Sequence, residues 1–357
     1  MNQKTEERPM NLTEDRPPRN TSGLTEDRLH KRLNISFLVV FLLLLFGCSR
    51  ETFVYDKAAT FDELHQSIAK YSASIESRQI AWDEIGDKYR TEVAENLNET
   101  AYFALLQEML LEFRDPHVWM FAPFDTLYSI EHLGYTKNYV ESVTARYLTQ
   151  VEQHSPQIQS GMINDSIGYL FCADFKGDVA ANNEIYRQVF TKFSDTKGLI
   201  IDLRVNDGGS VYNAQNLLAK LTNEQRLWHT TQNRTLTGFD EKYEWYIEPD
   251  PEIYYAQPVV VLNGRFTISA GERFAVGATL LENVTIVGDT TANTQGSVMG
   301  REMLNGWTYT LTFEKCLAPD GMNYAGIGVP PDYFIAAENA ILGGQDLILE
   351  RGLELLE

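Results

Sequence analysis

The sequence predicts an α/β fold with a mainly parallel sheet, preceded by a bundle of helices. From Ile167 onward, short apolar runs alternate with helical patterns, and the helices have the length that βαβ units contain. Between Phe61 and Phe113, apolar residues instead recur at helical spacing, which predicts the bundle. Ligand chemistry in such sheets lies where strands end and loops enter helices, so those loops are the places to search.

The predicted strands are the apolar runs that follow Ile167. They lie at 167–175, 198–203, 258–262, 284–287, 307–313 and 330–335. The predicted helices are the segments of 3.6-residue periodicity between these runs, at 181–193, 211–221 and 270–281. The first of these helices has its apolar residues on one face, as packing against a sheet requires. We place the resulting α/β core at 166–350.

An N-terminal helical domain is predicted at 59–122. Leu64 and Ile68 follow helical spacing there. From 118 to 163 the signal is weaker and aromatic-rich, and we interpret it as a hairpin followed by a helix through 139–153. We treat 123–165 as a connecting segment between the two domains.

Residues 1–47 are predicted to be a disordered leader and a signal peptide. Basic residues precede an apolar run from Phe37 to Phe46, which is too short to cross a hydrocarbon core of about 30 Å. This arrangement is typical of a secretory signal. Leu45-Phe46-Gly47-Cys48 is also similar to the bacterial lipoprotein box, which implies a lipidated Cys48, a linker at 48–58 and a lipid-anchored protein of the bacterial cell envelope, facing the periplasm or the exterior. The alternative is a plain signal anchor with an incidental cysteine.

The charge balance is strongly acidic, with a formal net charge of −20. An acidic surface argues against nucleic acid as a partner and against electrostatic docking on anionic lipid, because both carry negative charge. Apart from Cys48, the chain has Cys172 and Cys316. A disulfide between them and two buried free thiols are both compatible with the sequence.

Ser269 lies at a predicted turn from a strand into a helix. In the segment 258–288, an apolar run, a polar loop and a small-residue patch precede a helical pattern. Free N–H groups and the positive end of the helix dipole point toward a hydroxyl at such a turn, and they suit a developing oxyanion. Ser269 is therefore a candidate nucleophile. The alternative, which this segment alone favours, is an ordinary helix N-cap.

Two further segments carry chemical signals. The diglycine Gly208-Gly209 follows a buried strand and precedes a helix, and glycine there allows positive φ and a close approach of N–H groups to a ligand. His117 ends the helical region in the sequence Arg114-Asp115-Pro116-His117-Val118. Taken singly, a diglycine is commonly a tight turn and a lone histidine is commonly structural.

Taken together, these segments resemble the C-terminal-processing (tail-specific) serine peptidases and their tricorn-core relatives. The matching motifs stand in family order at Phe113–Val118, Gly198–Gly209, Thr267–Glu272, Val287–Thr291, Pro319–Gly321 and Gly326–Asp332. The resemblance spans 59–350 and implies a ClpP/crotonase-like βαβ core. It maps the family's nucleophile onto Ser269, which favours the nucleophile over the cap.

The base that the resemblance implies is His117. Many of these peptidases use a Ser-Lys dyad, which needs a desolvated amine, but there is no lysine from 266 to 314. Tricorn-type members use a histidine held by a serine and a glutamate. Here Pro116 replaces that serine, and the glutamate expected near 323–325 is replaced as well. Asp115 is a candidate orienter by residue type.

We therefore predict an exported serine endopeptidase that acts on peptides or proteins. Ser269 attacks the scissile carbonyl, His117 takes its proton, and the N–H groups of Ala270 and of Gly208 or Gly209 stabilise the oxyanion. No metal or cofactor is expected, because the sequence has no HExxH motif and no paired-histidine spacing.

The alternative is a catalytically weak or inactive family member. The missing lysine, serine and glutamate motivate it, since losing the group that orients a base costs about 10⁴ in turnover. Such a protein would bind a peptide or a hydrophobic ligand, helped by the aromatic-rich segment 119–139. The segment between His117 and Ile167 is also shorter than the PDZ domain that many relatives carry, which argues against selection of substrates by a docked C-terminal tail.

Overall fold

The computed structural model describes residues 55–94 and 96–357, and Tyr55–Glu357 forms one compact unit. The predicted leader, signal peptide and Cys48 lie outside the described residues. The helices are α1 Lys57–Tyr71, α2 Ser74–Ser77, α3 Trp82–Arg90, α4 Glu99–Leu111, α5 Glu141–Thr144, α6 Val179–Lys192, α7 Val211–Leu218, α8 Ala270–Ala278 and α9 Leu347–Glu354. In this part of the chain, no helix has both the length and the apolar character that crossing a membrane requires.

The strands are numbered in chain order. They are β1 Trp119–Ala122, β2 Asp125–Tyr128, β3 Thr149–Gln153, β4 Ile158–Ile163, β5 Ile167–Cys172, β6 Gly198–Asp202, β7 Arg226–Thr235, β8 Gly238–Phe239, β9 Tyr243–Ile247, β10 Val259–Asn263, β11 Val284–Gly288, β12 Val298–Glu302, β13 Thr308–Thr312, β14 Glu314–Leu317, β15 Tyr333–Phe334, β16 Ile341–Leu342 and β17 Gln345–Asp346.

The main sheet has seven strands in the order β15-β11-β10-β6-β5-β4-β3. The five strands from β15 to β5 run parallel, whereas β4 and β3 are antiparallel to their neighbours. In register, Leu262 of β10 lies between Asp202 of β6 and Val287 of β11. The carboxyl ends of these strands meet at one edge, where the loops with the predicted site residues begin. The predicted fold class, a mainly parallel α/β sheet with N-terminal helices, is confirmed.

Helices cover both faces of this sheet. Leu199 and Ile201 of β6 belong to the cluster that also contains apolar residues of α6, α7 and α8, whereas Ile200 packs with Val260 and with residues of α9. This alternation follows the two-residue period of a strand. Because both faces are buried, the strands are apolar throughout, which explains their continuous hydrophobic signal in the sequence.

The N-terminal helices share their core with a second sheet. Helices α1, α3 and α4 pack against a four-stranded sheet of order β12-β13-β1-β2. Trp307 and Tyr309, from the hairpin β12–β13, are buried in this cluster, and the Tyr309 hydroxyl donates to Ser67 Oγ at 2.7 Å. A hairpin from within the predicted core at 166–350 thus completes the helical part predicted at 59–122. The domain bounds themselves stay a prediction.

Two segments differ from the secondary structure predicted for them. The helix predicted through 139–153 is wrong: α5 covers four residues, and 149–153 is strand β3, which pairs with β4. Pairing with a neighbouring strand outweighs a weak helical periodicity there. No strand was predicted for β7 and β9, which pair with each other and, with β14 and β8, form a third sheet.

A buried ion-pair network fixes the segment that follows β6. Arg204 contacts Asp202 at 2.6 Å and Asp346 at 2.8 Å, and all three side chains are fully buried. The Thr144 hydroxyl donates to Asp346 and the Tyr169 hydroxyl to Asp202. An unpaired buried charge costs several kcal/mol, so this complete set of partners is what allows the guanidinium inside. The network ties the C-terminal segment to the strand that leads into the diglycine.

Cys172 and Cys316 are both buried and free, so the structure has the free thiols and not the disulfide. Burial raises the pKa of the Cys316 thiol to about 12 and raises that of Cys172 as well. Both sulfurs are therefore protonated at neutral pH, and neither is a candidate nucleophile.

Candidate active site

Ser269 lies between β10 and α8, with a strained backbone. Its φ is 57° and its ψ is −117°. A non-glycine residue held in a sparsely populated conformation costs about 1–3 kcal/mol and persists only where its surroundings hold it. The Ser269 N–H donates to the Thr294 carbonyl at 3.0 Å, and the Ile268 N–H donates to the Asn206 carbonyl at 2.8 Å. These bonds hold the predicted strand-to-helix turn from both sides.

The Ser269 hydroxyl does not cap the helix. Ser269 stands at the N-cap position of α8, but no cap hydrogen bond comes from its side chain. The N–H groups of Glu272 and Arg273 donate to its carbonyl instead, at 3.0 Å each. The side chain is half-buried, and its Oγ has no hydrogen-bond partner within 55–94 and 96–357. The ordinary cap is therefore not supported, and the hydroxyl is free for chemistry.

The diglycine packs directly against the serine. Gly208 has a φ of 85° and Gly209 a φ of 133°. A Cβ placed on Gly208 would lie 2.6 Å from Ser269 Cβ and 2.9 Å from the Ile268 carbonyl oxygen. Only glycine permits both this φ and this approach. The structure thus brings together two segments that the sequence pattern singled out.

The predicted oxyanion donors differ in their availability. The Gly208 N–H donates to Asn206 Oδ1 at 3.1 Å, so it already has an acceptor. The N–H groups of Gly209 and Ala270 have no hydrogen-bond acceptor in the part of the chain that the structure describes. Of the two glycines left open by the sequence, Gly209 is the one whose N–H is free. Ala270 follows Ser269, and Gly209 follows the glycine that packs against it, so these two unpaired donors are candidates for holding an oxyanion.

His117 is buried, with 6% of its surface exposed. Its Nδ1 lies 3.0 Å from the Thr294 hydroxyl, and its carbonyl accepts from Thr310 Oγ1 at 2.6 Å. Burial lowers the pKa of the imidazole to about 4. The positive charges of Arg78 and Arg273 also lower it, whereas the Asp115 carboxylate raises it. The ring is therefore neutral at pH 7 and able to accept a proton.

Thr294 connects the predicted nucleophile and the predicted base. Its carbonyl accepts the Ser269 N–H, and its hydroxyl contacts His117 Nδ1. Among the described residues, no hydrogen bond joins Ser269 Oγ to His117 directly. Catalytic hydrogen bonds are often long before substrate binds and shorten in the complex, so their absence in the free protein does not exclude a pair.

Asp115, predicted as a candidate orienter, contacts the backbone of His117 and not its ring. Its carboxylate accepts the His117 N–H at 3.0 Å, the Ser74 hydroxyl at 2.7 Å and the Thr312 hydroxyl at 3.0 Å. Burial alone would raise the pKa of this carboxyl, but the nearby Arg78, at 3.4 Å, and these donors lower it to about 2. Asp115 therefore holds the loop that bears His117.

Glu272 is a buried carboxylate that the sequence argument did not single out. It accepts the Thr291 hydroxyl at 2.5 Å, the Asn293 N–H at 2.8 Å and the Thr294 N–H at 2.6 Å. Burial raises the pKa of Glu272 to about 7, although these donors oppose the shift. The signal was present in the sequence, because Glu272 closes the small-residue motif that contains Ser269.

The loop 291–296 carries no amine. Gln295 precedes Gly296, as the lysine of the Ser-Lys dyad precedes a glycine in the family. Gln295 is 2% exposed, and neither its amide oxygen nor its amide nitrogen has a hydrogen-bond partner within the described ranges. A neutral amide cannot act as a base. At the position of the missing glutamate, Asn323 Oδ1 accepts the Ala325 N–H at 3.0 Å, which is a local turn. In the described part of the chain, no cluster of three or more ligating side chains suits a metal ion.

The fold and these contacts define a class of protein: an α/β domain with a serine at a strained strand-to-helix turn, a neutral histidine nearby and free N–H donors beside the serine. Residues 166–335 match the model of peptidase family S41. This part of the chain is therefore similar to peptidase family S41, a family of serine peptidases. His117 and the helical bundle precede the matched residues.

The chain is also similar to curated proteins and to solved structures. This chain is 27% identical to the tricorn protease of Thermoplasma volcanium over 221 residues. The match covers 59% of this chain and 19% of that protease. The chain thus spans about a fifth of the length of that relative. The structure of a candidate peptidase from Parabacteroides merdae superposes on this chain with a TM-score of 0.73 and is 25% identical in sequence. The match covers 85% of this chain and 97% of that structure. The structure of mature CPAF matches with a TM-score of 0.61 at 13% identity, over 84% of this chain and 96% of that structure. This match shows a shared fold.

Proposed function

We propose that the protein is a serine endopeptidase that acts on peptides or proteins. The observation that carries this proposal is the free Ser269 hydroxyl in a strained turn beside two unpaired N–H groups. In the first step, Ser269 Oγ bonds to the scissile carbonyl carbon while its proton passes to His117. The proton then goes to the leaving amine as the C–N bond breaks, and water hydrolyses the acyl-enzyme by the same route.

The oxyanion that forms in each step is held by the N–H groups of Gly209 and Ala270. Removing one such donor from a serine peptidase costs about 10²–10³ in turnover, so two free donors are a substantial part of the catalysis expected here. Because Nδ1 of His117 is engaged by Thr294, the proton from Ser269 goes to Nε2.

The pH dependence tests the role of His117. The free enzyme needs a neutral imidazole, and burial lowers the pKa of this group to about 4 from an ordinary 6.5. We expect kcat/KM for a peptide substrate to fall to a lower plateau as Glu272, whose pKa burial raises to about 7, takes a proton, and then to fall about tenfold per unit below pH 4 as His117 does. A profile measured over this range by fluorescent peptide cleavage, with folding followed by circular dichroism, checks the expectation. A single limb near pH 6.5 that falls about tenfold per unit with no plateau below it would contradict the assignment of the base.

We propose further that the protein is exported and anchored by lipid at Cys48 in the bacterial cell envelope, facing the periplasm or the exterior. The basic flank, the short apolar run and the Leu45–Cys48 box support this proposal. Cells grown with a labelled fatty acid are expected to incorporate it into the wild-type chain and not into Cys48→Ser. Equal incorporation in both chains, or none in either, would contradict the anchor.

The non-catalytic alternative is not favoured. The aromatic rings of its predicted ligand surface, 119–139, already have partners. Trp119, Phe121 and Tyr128 are in edge-to-face contact with one another, and Tyr139 stacks on Phe171. A cavity of about 530 Å³ includes Tyr135, but the side chains around it include Arg114, Arg265, Asp289 and Glu338. Such a charged lining does not suit a hydrophobic ligand.

A further inference from the structure

We infer that Thr294 positions the imidazole of His117, in the place of the serine and glutamate that this chain lacks. The inference rests on the proposed function and adds to it the group that holds the base. Its starting point is the 3.0 Å contact between His117 Nδ1 and Thr294 Oγ1, the hydrogen bond that the ring makes to a side chain.

For Nε2 to take the serine proton, the neutral ring has to carry its hydrogen on Nδ1. The Thr294 hydroxyl oxygen, 3.0 Å away, accepts that N–H and so orients the ring. The same hydrogen bond remains when Nε2 is protonated. Fixing the second ring nitrogen in this way is how hydrogen-bond partners generally set the role of a histidine.

Thr294 is itself held by the helix that begins at the nucleophile. Glu272, in the first turn of α8, accepts the Thr294 N–H at 2.6 Å and two donors from residues 291 and 293. The next residue, Arg273, donates through Nε to the Gln295 carbonyl at 2.9 Å and pairs with the buried Glu314. Two consecutive residues of α8 therefore fix the loop on both sides of Thr294.

The same residue fixes the nucleophile through its backbone. The Thr294 carbonyl accepts the Ser269 N–H, the bond that supports the strained φ of the serine. One residue thus ties Ser269 through its main chain and His117 through its side chain. The other nearby acid, Asp115, has its oxygens occupied by donors other than the ring.

The test separates the hydroxyl of Thr294 from its backbone. Thr294→Val keeps the shape and the carbonyl and removes the hydroxyl. We expect kcat for a fluorescent peptide to fall about 10–100-fold with KM and Tm close to wild type, because a small displacement of a catalytic group costs about 10². Thr294→Ser, which restores the hydroxyl, is expected to recover kcat. Thr290→Val is the matched control, since Thr290 directly precedes the loop 291–296 and its hydroxyl has no hydrogen-bond partner among the described residues.

Three outcomes distinguish the inference from the proposed function. A wild-type kcat in Thr294→Val, with Ser269→Ala inactive, overturns the role of Thr294 and leaves the proposed function standing. A loss in Thr294→Val that Thr294→Ser does not recover, or that Thr290→Val shares, likewise overturns it. Activity in Ser269→Ala overturns the proposed function itself. As a second variant, Glu272→Gln is expected to lower kcat in the same way. The groups around Glu272 are hydrogen-bond donors, so the NH₂ of a glutamine amide would face donors without an acceptor.

Discussion

Replacing Ser269 with alanine is expected to lower peptide turnover by about 10⁴–10⁶-fold, the loss seen when the nucleophile of a serine peptidase is removed. The hydroxyl has no structural partner among the described residues, so little else depends on it. We therefore expect the Tm to stay close to that of the wild type. Fluorescent peptide cleavage at saturating substrate measures the loss, and thermal unfolding measures stability.

Ser210→Ala is the matched control for this substitution. Ser210 stands at the N-cap of α7, next to the diglycine, and its side chain likewise makes no cap hydrogen bond. We expect this variant to cleave peptides at a rate close to wild type. The N-cap alternative makes the opposite prediction for Ser269→Ala, namely unchanged hydrolysis and a stability loss of about 0.5–2 kcal/mol. That result would remove Ser269 from the mechanism.

The second large effect is expected from Gly208→Ala. The new Cβ would lie 2.6 Å from Ser269 Cβ and 2.9 Å from the Ile268 carbonyl oxygen, so the serine turn has to move. A displacement of about 1 Å costs about 10² in rate, and we expect at least this loss in kcat/KM. The φ of 85° adds strain of about 1–2 kcal/mol, which unfolding by denaturant will report.

Gly321→Ala separates strain from crowding. Gly321 has nearly the same φ, 86°, but a Cβ there would meet no atom within 4 Å. We expect both variants to lose similar stability and only Gly208→Ala to lose activity. If Gly208→Ala cleaves peptides at the wild-type rate, the close packing of the diglycine against the serine has no role in catalysis.

The sequence was sufficient for the parts of the site that depend on local pattern. A buried parallel strand is a continuous apolar run, and the loop after it begins at the sheet edge where chemistry occurs. Ser269 and the diglycine both follow such runs, at β10 and β6, and the structure brings them into contact. Together with His117 and the further motifs at 287–291 and 319–332, these two motifs were also enough to indicate a resemblance to the peptidase family whose model residues 166–335 match.

The parts that were missed depend on contacts between distant segments. Thr294 gives no signal in the sequence, because a hydroxyl in a loop has no pattern of its own. The donors around Glu272 are mostly backbone N–H groups. Every residue type except proline has such a group, so the sequence does not show where these N–H groups point. The hairpin β12–β13 packs on the helices because of its tertiary position, which its strand pattern alone does not encode.

The central claim, that Ser269 is a nucleophile activated by His117, is tested most directly with a fluorophosphonate probe. Its phosphorus bonds to an activated serine oxygen as fluoride leaves and the serine proton passes to the base. We expect peptide mapping of the labelled wild-type protein to locate one adduct on Ser269, with no adduct in Ser269→Ala and labelling slowed at least tenfold in His117→Ala. Labelling on another residue, or an equal rate in His117→Ala, would contradict the account.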